Sequence, residues 1–249
     1  MRRLRGGRRG RVTRASLAGP AAGGAGSGTL RRVDGHARRE RLAGARLYLV
    51  LEARPHGDAP DALLDAALRG GVDVVQLRDK ELSDAELVAA AAPFARACAA
   101  HDALFVLNDR PDLVEACGAD GVHVGLEDAS PAEARVIVGA ERLVGVSTHS
   151  REEIEAAPAA GADYLGVGTI FTTPTKAEDA VGLELVRIAA GTARLPWFAI
   201  GGIDLDTVAL VAAAGAPGVA VVRAIRDAAD PEQAARDLRA ALTQSAQPS

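Results

Sequence analysis

The feature that most constrains this chain is a regular alternation, from Arg46 onward, of short β-branched runs with longer runs rich in Ala, Leu and Glu. The strand candidates are LYLVL at 47–51, VDVVQL at 72–77, ALFVLN at 103–108, GVHVG at 121–125, RLVGVS at 142–147, DYLGVG at 163–168, PWFAI at 196–200 and GVAVV at 218–222. Helix candidates lie near 60–70, 83–101, 111–117, 131–138, 151–160, 183–191, 206–214 and 231–243. Strands this apolar indicate a parallel sheet covered by helices.

Eight rounds of this alternation in 249 residues favour one (β/α)8 TIM barrel, of the α/β class, over a doubly wound sheet. Helix-start signals agree with this interpretation. Ser83–Glu86, Ser130–Glu133 and Ser150–Glu153 have the spacing of a capping box, in which a hydroxyl and a carboxylate satisfy free backbone amides. Asp230 before Pro231 marks the start of the last helix.

Charge divides the chain into two unlike parts. Residues 1–45 hold 12 of the 29 basic residues beside two acidic ones, a formal charge of +10, whereas the whole chain has −4. We predict a disordered basic extension at 1–45 and a catalytic barrel at 46–249. The extension has the composition of a disordered leader, while nucleic-acid binding, anionic-membrane binding and a transit function stay open as alternatives.

Other partners and the location follow from what the sequence lacks. It has no run of about 18 apolar residues and no secretory signal pattern, so we expect a cytoplasmic body with no membrane partner. Nucleic acid is not the expected partner, and a homo-oligomer is compatible with the sequence. Cys98 and Cys117 lie in alanine-rich, helix-like sequence and are expected to be buried hydrophobic residues.

A barrel of this kind places its chemistry in the loops that follow the carboxyl ends of its strands, and the polar residues fall there. After the second strand, QLRDK puts Gln76, Arg78 and Lys80 at alternate positions, where an extended chain points them in one direction. Two converging cations favour an anionic ligand, although a solvated strand end with acidic neighbours is the alternative. Lys176 in the TPTK loop is the only other lysine and is expected to join them on a diphosphate.

Two carboxylates and a glycine pair suggest two further sites. Asn108 and Asp109 follow the third strand and Asp128 follows the fourth, so the two aspartates suit Mg²⁺, with helix capping as the alternative. Gly201–Gly202 after the seventh strand, with the loop after GVAVV, matches the usual phosphate site of such barrels.

The four histidines of the predicted barrel show no sign of a catalytic triad. His123 is expected to pack in the core, His149 either positions a ligand or lies in a loop, His101 ends a helix, and His56 lies in a loop. No GxGxxG after the first strand and no P-loop occur, so dinucleotide and P-loop kinase functions lack their motifs.

These loops together resemble the thiamine-phosphate synthase family, from about Leu47 to the last helix. The matching pieces, in order, are LYLV, QLRDK, ND, DGVHVG, GVSTHS, DYLGVGTIF with TPTK, AIGGI and GVAVV. The resemblance implies a transferase of thiamine biosynthesis that joins aminopyrimidine hydroxymethyl diphosphate to thiazole phosphate and releases pyrophosphate. It also implies Mg²⁺ as cofactor and a dissociative displacement.

The resemblance assigns roles by position. The pyrimidine diphosphate is expected to contact Gln76, Arg78, Lys80, Asn108, Ser147 and Lys176. Mg²⁺ is expected on Asp109 and Asp128. The thiazole phosphate is expected to contact Thr173, Thr175, Gly202, Val222 and Arg223. Arg78, Lys80, Ser147 and Lys176 are the residues expected to support catalysis.

The chain departs from the family pattern at four positions, Leu126, Thr169, Thr172 and Arg223. The first three indicate changes in loop stiffness and packing. Arg223 replaces a serine and either binds the thiazole phosphate or crowds the site. The alternatives to synthase activity are an isomerase of a thiazole phosphate on the same barrel, and a barrel that carries a nucleic-acid-binding arm.

Overall fold

The computed structural model describes residues 34–125, 129–172 and 181–244, and its compact unit with the barrel spans 33–249. Eight parallel strands close into a barrel in chain order, with the last strand paired to the first. The strands are β1 (Leu47–Leu51), β2 (Val74–Leu77), β3 (Leu104–Asn108), β4 (Gly121–Val124), β5 (Leu143–Thr148), β6 (Tyr164–Val167), β7 (Trp197–Ile200) and β8 (Val219–Val221). This confirms the predicted TIM barrel.

Within the described residues the helices are α1 (Gly35–Gly44), α2 (Asp61–Arg69), α3 (Asp84–Ala100), α4 (Pro131–Val138), α5 (Arg151–Ala156), α6 (Gly182–Thr192), α7 (Val208–Ala213), α8 (Arg223–Arg226) and α9 (Pro231–Gln244). The helix expected near 111–117 is wrong, because Pro111–Leu113 forms only a 3-10 turn. Sequence patterns also missed the four-residue α8. No helix of the described residues is long and apolar enough to cross a membrane.

Capping explains where several helices begin. At α3 and α4 the expected capping boxes form, with Glu86 and Glu133 accepting hydrogen bonds from the backbone N–H groups of Ser83 and Ser130. At α5 the expected box is incomplete, because the Glu153 carboxylate accepts from the N–H of His149, 2.6 Å away. The Ser150 hydroxyl still accepts from the Glu153 N–H, so α5 keeps one half of its cap.

Alternation along the strands separates two apolar layers. One side of each strand packs on the surrounding helices, as Leu49, Phe105 and Leu165 do. The other side fills the barrel interior, where Tyr48, Tyr164 and Phe198 form part of a second buried cluster. Cys98 and Cys117 are free and buried in the layer beneath the helices, as expected.

Three aspartates satisfy backbone groups at the amino-terminal end of the barrel. Asp73 accepts from the N–H of Leu47, Asp120 from that of Phe105, and Asp163 from that of Val144. These N–H groups belong to the first residue of β1 and to the second residues of β3 and β5. The same carboxylates bind arginines, so this end of the barrel is held by ionic contacts.

Helix α1 contradicts the expectation that residues 1–45 are disordered throughout. The side chain of its N-cap residue Asp34 accepts from the N–H of Ala37. Arg38 lies 2.8 Å from Asp120, Arg39 lies 2.7 Å from Asp163, and Leu42 is 2% exposed in the interior cluster. The barrel unit therefore includes residues 34–45, whose stability comes from long-range ionic contacts that helix propensity does not reveal.

Candidate active site

A cavity of about 820 Å³ opens at the carboxyl-terminal end of the barrel, where the fold predicts the chemistry. Its wall takes residues from all eight strands or the loops that follow them. Of the predicted residues within the described part of the chain, all line it: Gln76, Arg78, Lys80, Asn108, Asp109, Ser147, Gly202, Val222 and Arg223. The predicted residues of the described part of the chain thus share one cavity, and the site and the roles assigned to them stay predictions.

The residues after β2 converge as expected. Gln76 is the last inward-facing position of the strand and is 5% exposed, while Arg78 and Lys80 follow in the loop. The Arg78 guanidinium makes no hydrogen bond or ion pair with any residue that the structure describes. It is therefore a cation in the cavity wall without a counterion from those residues.

Lys80 and Asp109 form an ion pair across two loops, with Nζ 3.0 Å from Oδ2. Lys80 is half exposed and Asp109 is 16% exposed, so the carboxylate is the more enclosed partner. The Asp109 backbone has a φ of +59°, in the left-handed region that Asp and Asn tolerate better than most residues. This turn carries Asp109 from the end of β3 into the cavity wall beside Asn108.

A chain of hydrogen bonds crosses the interior beneath the cavity. Gln76 Nε2 donates to Tyr48 Oη at 2.8 Å, and Tyr48 Oη lies 3.1 Å from Tyr164 Oη. His123 Nδ1 lies 3.2 Å from Tyr164 Oη, and His123 Nε2 lies 3.1 Å from Ser147 Oγ. The five side chains come from β1, β2, β4, β5 and β6, and they link one wall of the cavity to another.

Burial keeps the phenols of Tyr48 and Tyr164 in the neutral form. It raises the pKa of Tyr48 and that of Tyr164, because each phenolate would lose its solvation. Gly145 leaves space for the second ring, since a Cβ at this position would lie 2.1 Å from Tyr164 Cζ. A glycine in β5 is thus a condition for an aromatic ring in β6.

His123 corrects the expectation of a packed core histidine. Its ring faces the barrel interior, is only partly buried and lines the cavity. His149 also lines the cavity, which favours a role in positioning a ligand over a plain loop position. His101 caps the end of α3 as expected. His56 lies in a short 3-10 turn after β1.

The loop after β7 has the shape expected for close approach by a ligand. Gly201 and Gly202 have φ values of +108° and +62°. A Cβ on Gly202 would lie 2.8 Å from Phe171 Cβ, so only glycine fits between this turn and the loop after β6. The Gly202 N–H donates to no residue of the described part of the chain, which leaves a donor at the cavity wall.

The two arginines of α8, which follows β8, differ in their environment. Arg226 is held by Glu52 at 3.0 Å and by Asp227 at 2.6 Å, which raise its pKa through hydrogen bonds and charge. Arg223 is exposed at the cavity rim, and its guanidinium makes no contact of this kind with the described residues. Arg223, like Arg78, is therefore available to an anion.

Four predicted site residues, Asp128, Thr173, Thr175 and Lys176, lie outside the described residues, as does Leu126. Thr169 is 5% exposed and lines the cavity, whereas Thr172 is exposed. The sequence patterns assign no binding or catalytic role to either threonine.

Several cavity residues were not singled out from the sequence: Tyr48, Glu52, Tyr164, Phe198, Asp204 and Arg226. One available signal was that Tyr48 and Tyr164 are the only tyrosines in a chain with 3% aromatic residues. Their inward direction follows only once the strand register is known.

The donors present are compatible with Mg²⁺ but do not form a complete protein site. No group of three His, Cys, Asp or Glu side chains suited to a metal occurs among the described residues. Asp109 is one enclosed carboxylate at the cavity, and Mg²⁺ usually takes one or two carboxylates and completes its shell with water and phosphate oxygens. Asp109 therefore fits a metal that is shared with a phosphate ligand.

A closed eight-stranded barrel with a polar cavity at the carboxyl ends of its strands is the architecture of a TIM-barrel enzyme. A family model described as thiamine monophosphate synthase matches residues 47–225. The chain belongs to this family.

Individual relatives agree with this assignment. Thiamine-phosphate synthase of Arthrobacter sp. (strain FB24) is 48% identical over 227 residues, which cover 81% of this chain and 95% of that protein. Thiamine-phosphate synthase of Synechococcus sp. (strain CC9311) is 46% identical over 204 residues, covering 81% of this chain but only 58% of that protein. The structure of thiamine phosphate pyrophosphorylase from Pyrococcus furiosus superposes with a TM-score of 0.75 at 32% identity, covering 84% of this chain and all of that one. The chain is accordingly a transferase with thiamine-phosphate synthase activity.

Proposed function

We propose that the cavity holds aminopyrimidine hydroxymethyl diphosphate and thiazole phosphate together, with each phosphate group on a different part of its wall. The observation that carries this division is the placement of two arginines, Arg78 after β2 and Arg223 after β8, that have no anionic partner among the described residues. An uncompensated cation in a cavity wall is stabilised when an anion binds. Two such cations on different loops suit two anionic groups.

The diphosphate is assigned to the loops after β2 and β3. Arg78 offers a planar fork of N–H donors and Lys80 a compact charge, while Asn108 adds a polar side chain at the same wall. The Lys80–Asp109 pair keeps this lysine directed at the cavity before a ligand arrives. Lys176, which follows β6 in the sequence, is assigned to the diphosphate as a further cation.

The thiazole phosphate is assigned to the turn after β7 and the start of α8. Gly202 offers a backbone N–H in a turn that admits no side chain, and Val222 and Arg223 line the adjoining wall. Arg223 gives this side a charge-assisted contact. Thr173 and Thr175 complete the proposed phosphate contacts.

Mg²⁺ is the proposed cofactor, with Asp109 and Asp128 as its protein ligands. When bound, Mg²⁺ would supply positive charge that offsets the negative charge developing on the departing pyrophosphate. The chain's own share of this task falls to Arg78 and Lys80, which are placed to stabilise the departing oxygens.

The proposed reaction needs positioning and charge more than a general base. The bond from the exocyclic methylene carbon to the diphosphate oxygen breaks, and the thiazole nitrogen then forms a bond to that carbon. Holding both substrates in one cavity supplies the proximity that this attack requires. An isomerase acting on a thiazole phosphate would not use the Arg78, Lys80 and Asp109 side of the wall, so the synthase is the better supported function.

A pyrophosphate-release assay with each substrate alone, with both, and with or without Mg²⁺ tests this function. We expect release only when both substrates and the metal are present. Release that does not depend on thiazole phosphate, or on the metal, contradicts the proposed reaction.

The role of the basic N-terminal segment stays a prediction, as do the cytoplasmic location and a homo-oligomer. Because α1 belongs to the barrel unit, the informative deletion removes residues 1–33 and keeps Asp34. We expect full activity from that protein. Salt-sensitive RNA binding that disappears with the deletion would indicate a second role for the segment.

A further inference from the structure

The five-residue hydrogen-bond chain beneath the cavity carries an inference beyond the proposed contacts. The geometry points to Tyr48, Tyr164 and His123 as positioning residues that fix which partner donates in each of these hydrogen bonds. As a result, Gln76 presents an acceptor and Ser147 presents a donor to the pyrimidine substrate. This inference rests on the proposed function only for the identity of that substrate.

The direction follows from proton counting that starts at Gln76. Its Nε2 can only donate, so Tyr48 Oη accepts this bond and has its single proton left for Tyr164. Tyr164 Oη has then accepted once, and its own proton goes to His123 Nδ1. Each phenol has one proton, and burial keeps both phenols neutral, so neither hydroxyl can donate in both directions.

The second half of the chain fixes a tautomer. A neutral imidazole whose Nδ1 accepts carries its proton on Nε2, and this proton goes to Ser147 Oγ, 3.1 Å away. Ser147 therefore keeps its own hydroxyl proton for the cavity. At the opposite end, the side-chain nitrogen of Gln76 already donates to Tyr48. The side-chain carbonyl oxygen of Gln76 therefore remains as an acceptor at the cavity wall.

The surrounding packing holds the links in place. Both tyrosine rings contact Phe198 edge-on, with centroid distances of 5.2 and 6.1 Å. Tyr48 and Tyr164 are at most 2% exposed, and a Cβ on Gly166 would lie 3.2 Å from His123 Cε1. Side chains with so little room cannot turn aside, so the order of donors and acceptors is set before substrate binds.

A chain of this kind makes its two ends interdependent. A ligand that offers a donor to Gln76 and an acceptor to Ser147 matches the preset direction. A ligand with the opposite pattern must reverse four hydrogen bonds and the imidazole tautomer. Removing a phenol hydroxyl in the middle should release Ser147 from this control, although the ring and its packing remain.

The kinetic test compares Ser147→Ala in the native background and in a Tyr164→Phe background, with thiazole phosphate saturating. We expect Ser147→Ala to lower kcat/KM for the pyrimidine diphosphate about 5- to 10-fold in the native protein and less than about 2-fold in Tyr164→Phe. If Ser147→Ala lowers kcat/KM by the same factor in both backgrounds, the hydrogen-bond chain does not orient the Ser147 hydroxyl and the inference is wrong.

A matched control removes a buried hydroxyl that lies outside the chain. Thr148 follows Ser147, is 1% exposed, and donates to the carbonyl oxygen of Gly166 at 3.1 Å. Thr148→Val should lower the Tm without changing the factor measured for Ser147→Ala. If Tyr164→Phe does not fold, Tyr48→Phe breaks the preceding link and tests the same interdependence.

A second measurement needs no substrate and so separates this inference from the proposed function. Protein with ¹⁵N-labelled histidine is examined by NMR, with His123→Gln identifying the signals of His123 among the five histidines. We expect Nε2 to be protonated and Nδ1 bare in the native protein, with a growing Nδ1–H population in Tyr164→Phe. An Nδ1–H tautomer in the native protein contradicts the proposed direction even if the enzyme releases pyrophosphate normally.

Discussion

Lys80 Nζ lies 3.0 Å from Asp109 Oδ2, so the lysine and the carboxylate at this part of the cavity are already paired before a diphosphate binds. A diphosphate that binds Lys80 must compete with Asp109, unless a divalent cation takes over the carboxylate. If Mg²⁺ binds Asp109 as proposed, it would also free the Lys80 ammonium group for the substrate.

Asp109→Asn tests this link. Asn tolerates the left-handed backbone at this position, so the fold should be retained. We expect the Mg²⁺ concentration for half-maximal pyrophosphate release to rise by about tenfold or more, as one charged contact is lost. Asp112→Asn is the matched control, because Asp112 is exposed in the next turn and pairs with Arg110. An unchanged metal requirement in Asp109→Asn would remove this residue from the proposed metal site.

Arg78→Gln should weaken binding of the pyrimidine diphosphate. The guanidinium has no anionic partner among the described residues, so its removal leaves no buried carboxylate unpaired and should not lower the Tm. We expect KM for this substrate to rise about 10- to 100-fold, in keeping with a charge-assisted hydrogen bond. Arg54→Gln serves as control, because Arg54 is exposed and bonds a carbonyl oxygen outside the cavity. A lower Tm with unchanged KM would assign Arg78 a structural role instead.

Arg223→Ser should weaken binding of the thiazole phosphate while KM for the pyrimidine diphosphate stays nearly constant. Arg223 lies at the cavity rim beside Val222 and makes no ion pair with a carboxylate that the structure describes. Steady-state kinetics with each substrate varied in turn separates the two constants. An unchanged or improved KM for thiazole phosphate would show that the arginine crowds the site rather than binding phosphate.

Gly145→Ala should disturb both stability and activity. The added methyl group would lie 2.1 Å from Tyr164 Cζ, so the buried ring or β5 must move, at a cost of about 1–3 kcal/mol in the free energy of unfolding. Thermal unfolding and kcat/KM are measured together. Gly44→Ala is the control, because a methyl group there meets nothing within 4 Å, and it should leave both values nearly unchanged or raise the Tm slightly.

Arg110→Gln should remove part of the acid dependence of stability. Hydrogen bonds from Arg110 lower the pKa of Asp84 and of Asp112. Groups with a lowered folded pKa stabilise the protein above their unfolded pKa, and this contribution is lost as pH falls through the folded values. The Tm of Arg110→Gln should thus lie below that of the native protein at pH 7 and approach it below about pH 3. Arg46→Gln, whose guanidinium bonds carbonyl oxygens, should show no such convergence.

The fold and the main cations of the site could be predicted because both depend on order along the chain. Eight strand runs imply a barrel, and residues just after each run, such as Arg78 and Asp109, must lie at its carboxyl-terminal end. The hydrogen-bond chain was not predictable in this way. Tyr48 and Tyr164 are 116 residues apart, and only the register of closed strands brings their hydroxyls within 3.1 Å.

Helix α1, at the amino-terminal end of the barrel, is a second feature that could not be predicted from order along the sequence. Its sequence, GHARRERLAG, is polar, and its binding to the barrel depends on carboxylates far along the chain. Sequence composition therefore grouped it with the basic segment before it. The family model also begins only at residue 47, just after this helix.

The contacts of α1 determine when this helix can dock on the barrel during synthesis of the protein. Arg38 reaches Asp120 across 82 positions and Arg39 reaches Asp163 across 124. A ten-residue helix is marginal in water by itself, so α1 leaves the ribosome well before the partners that stabilise it. The first element of the barrel to be synthesised is thus among the last to dock, and nascent chains that end before Asp163 should leave this helix open to proteases.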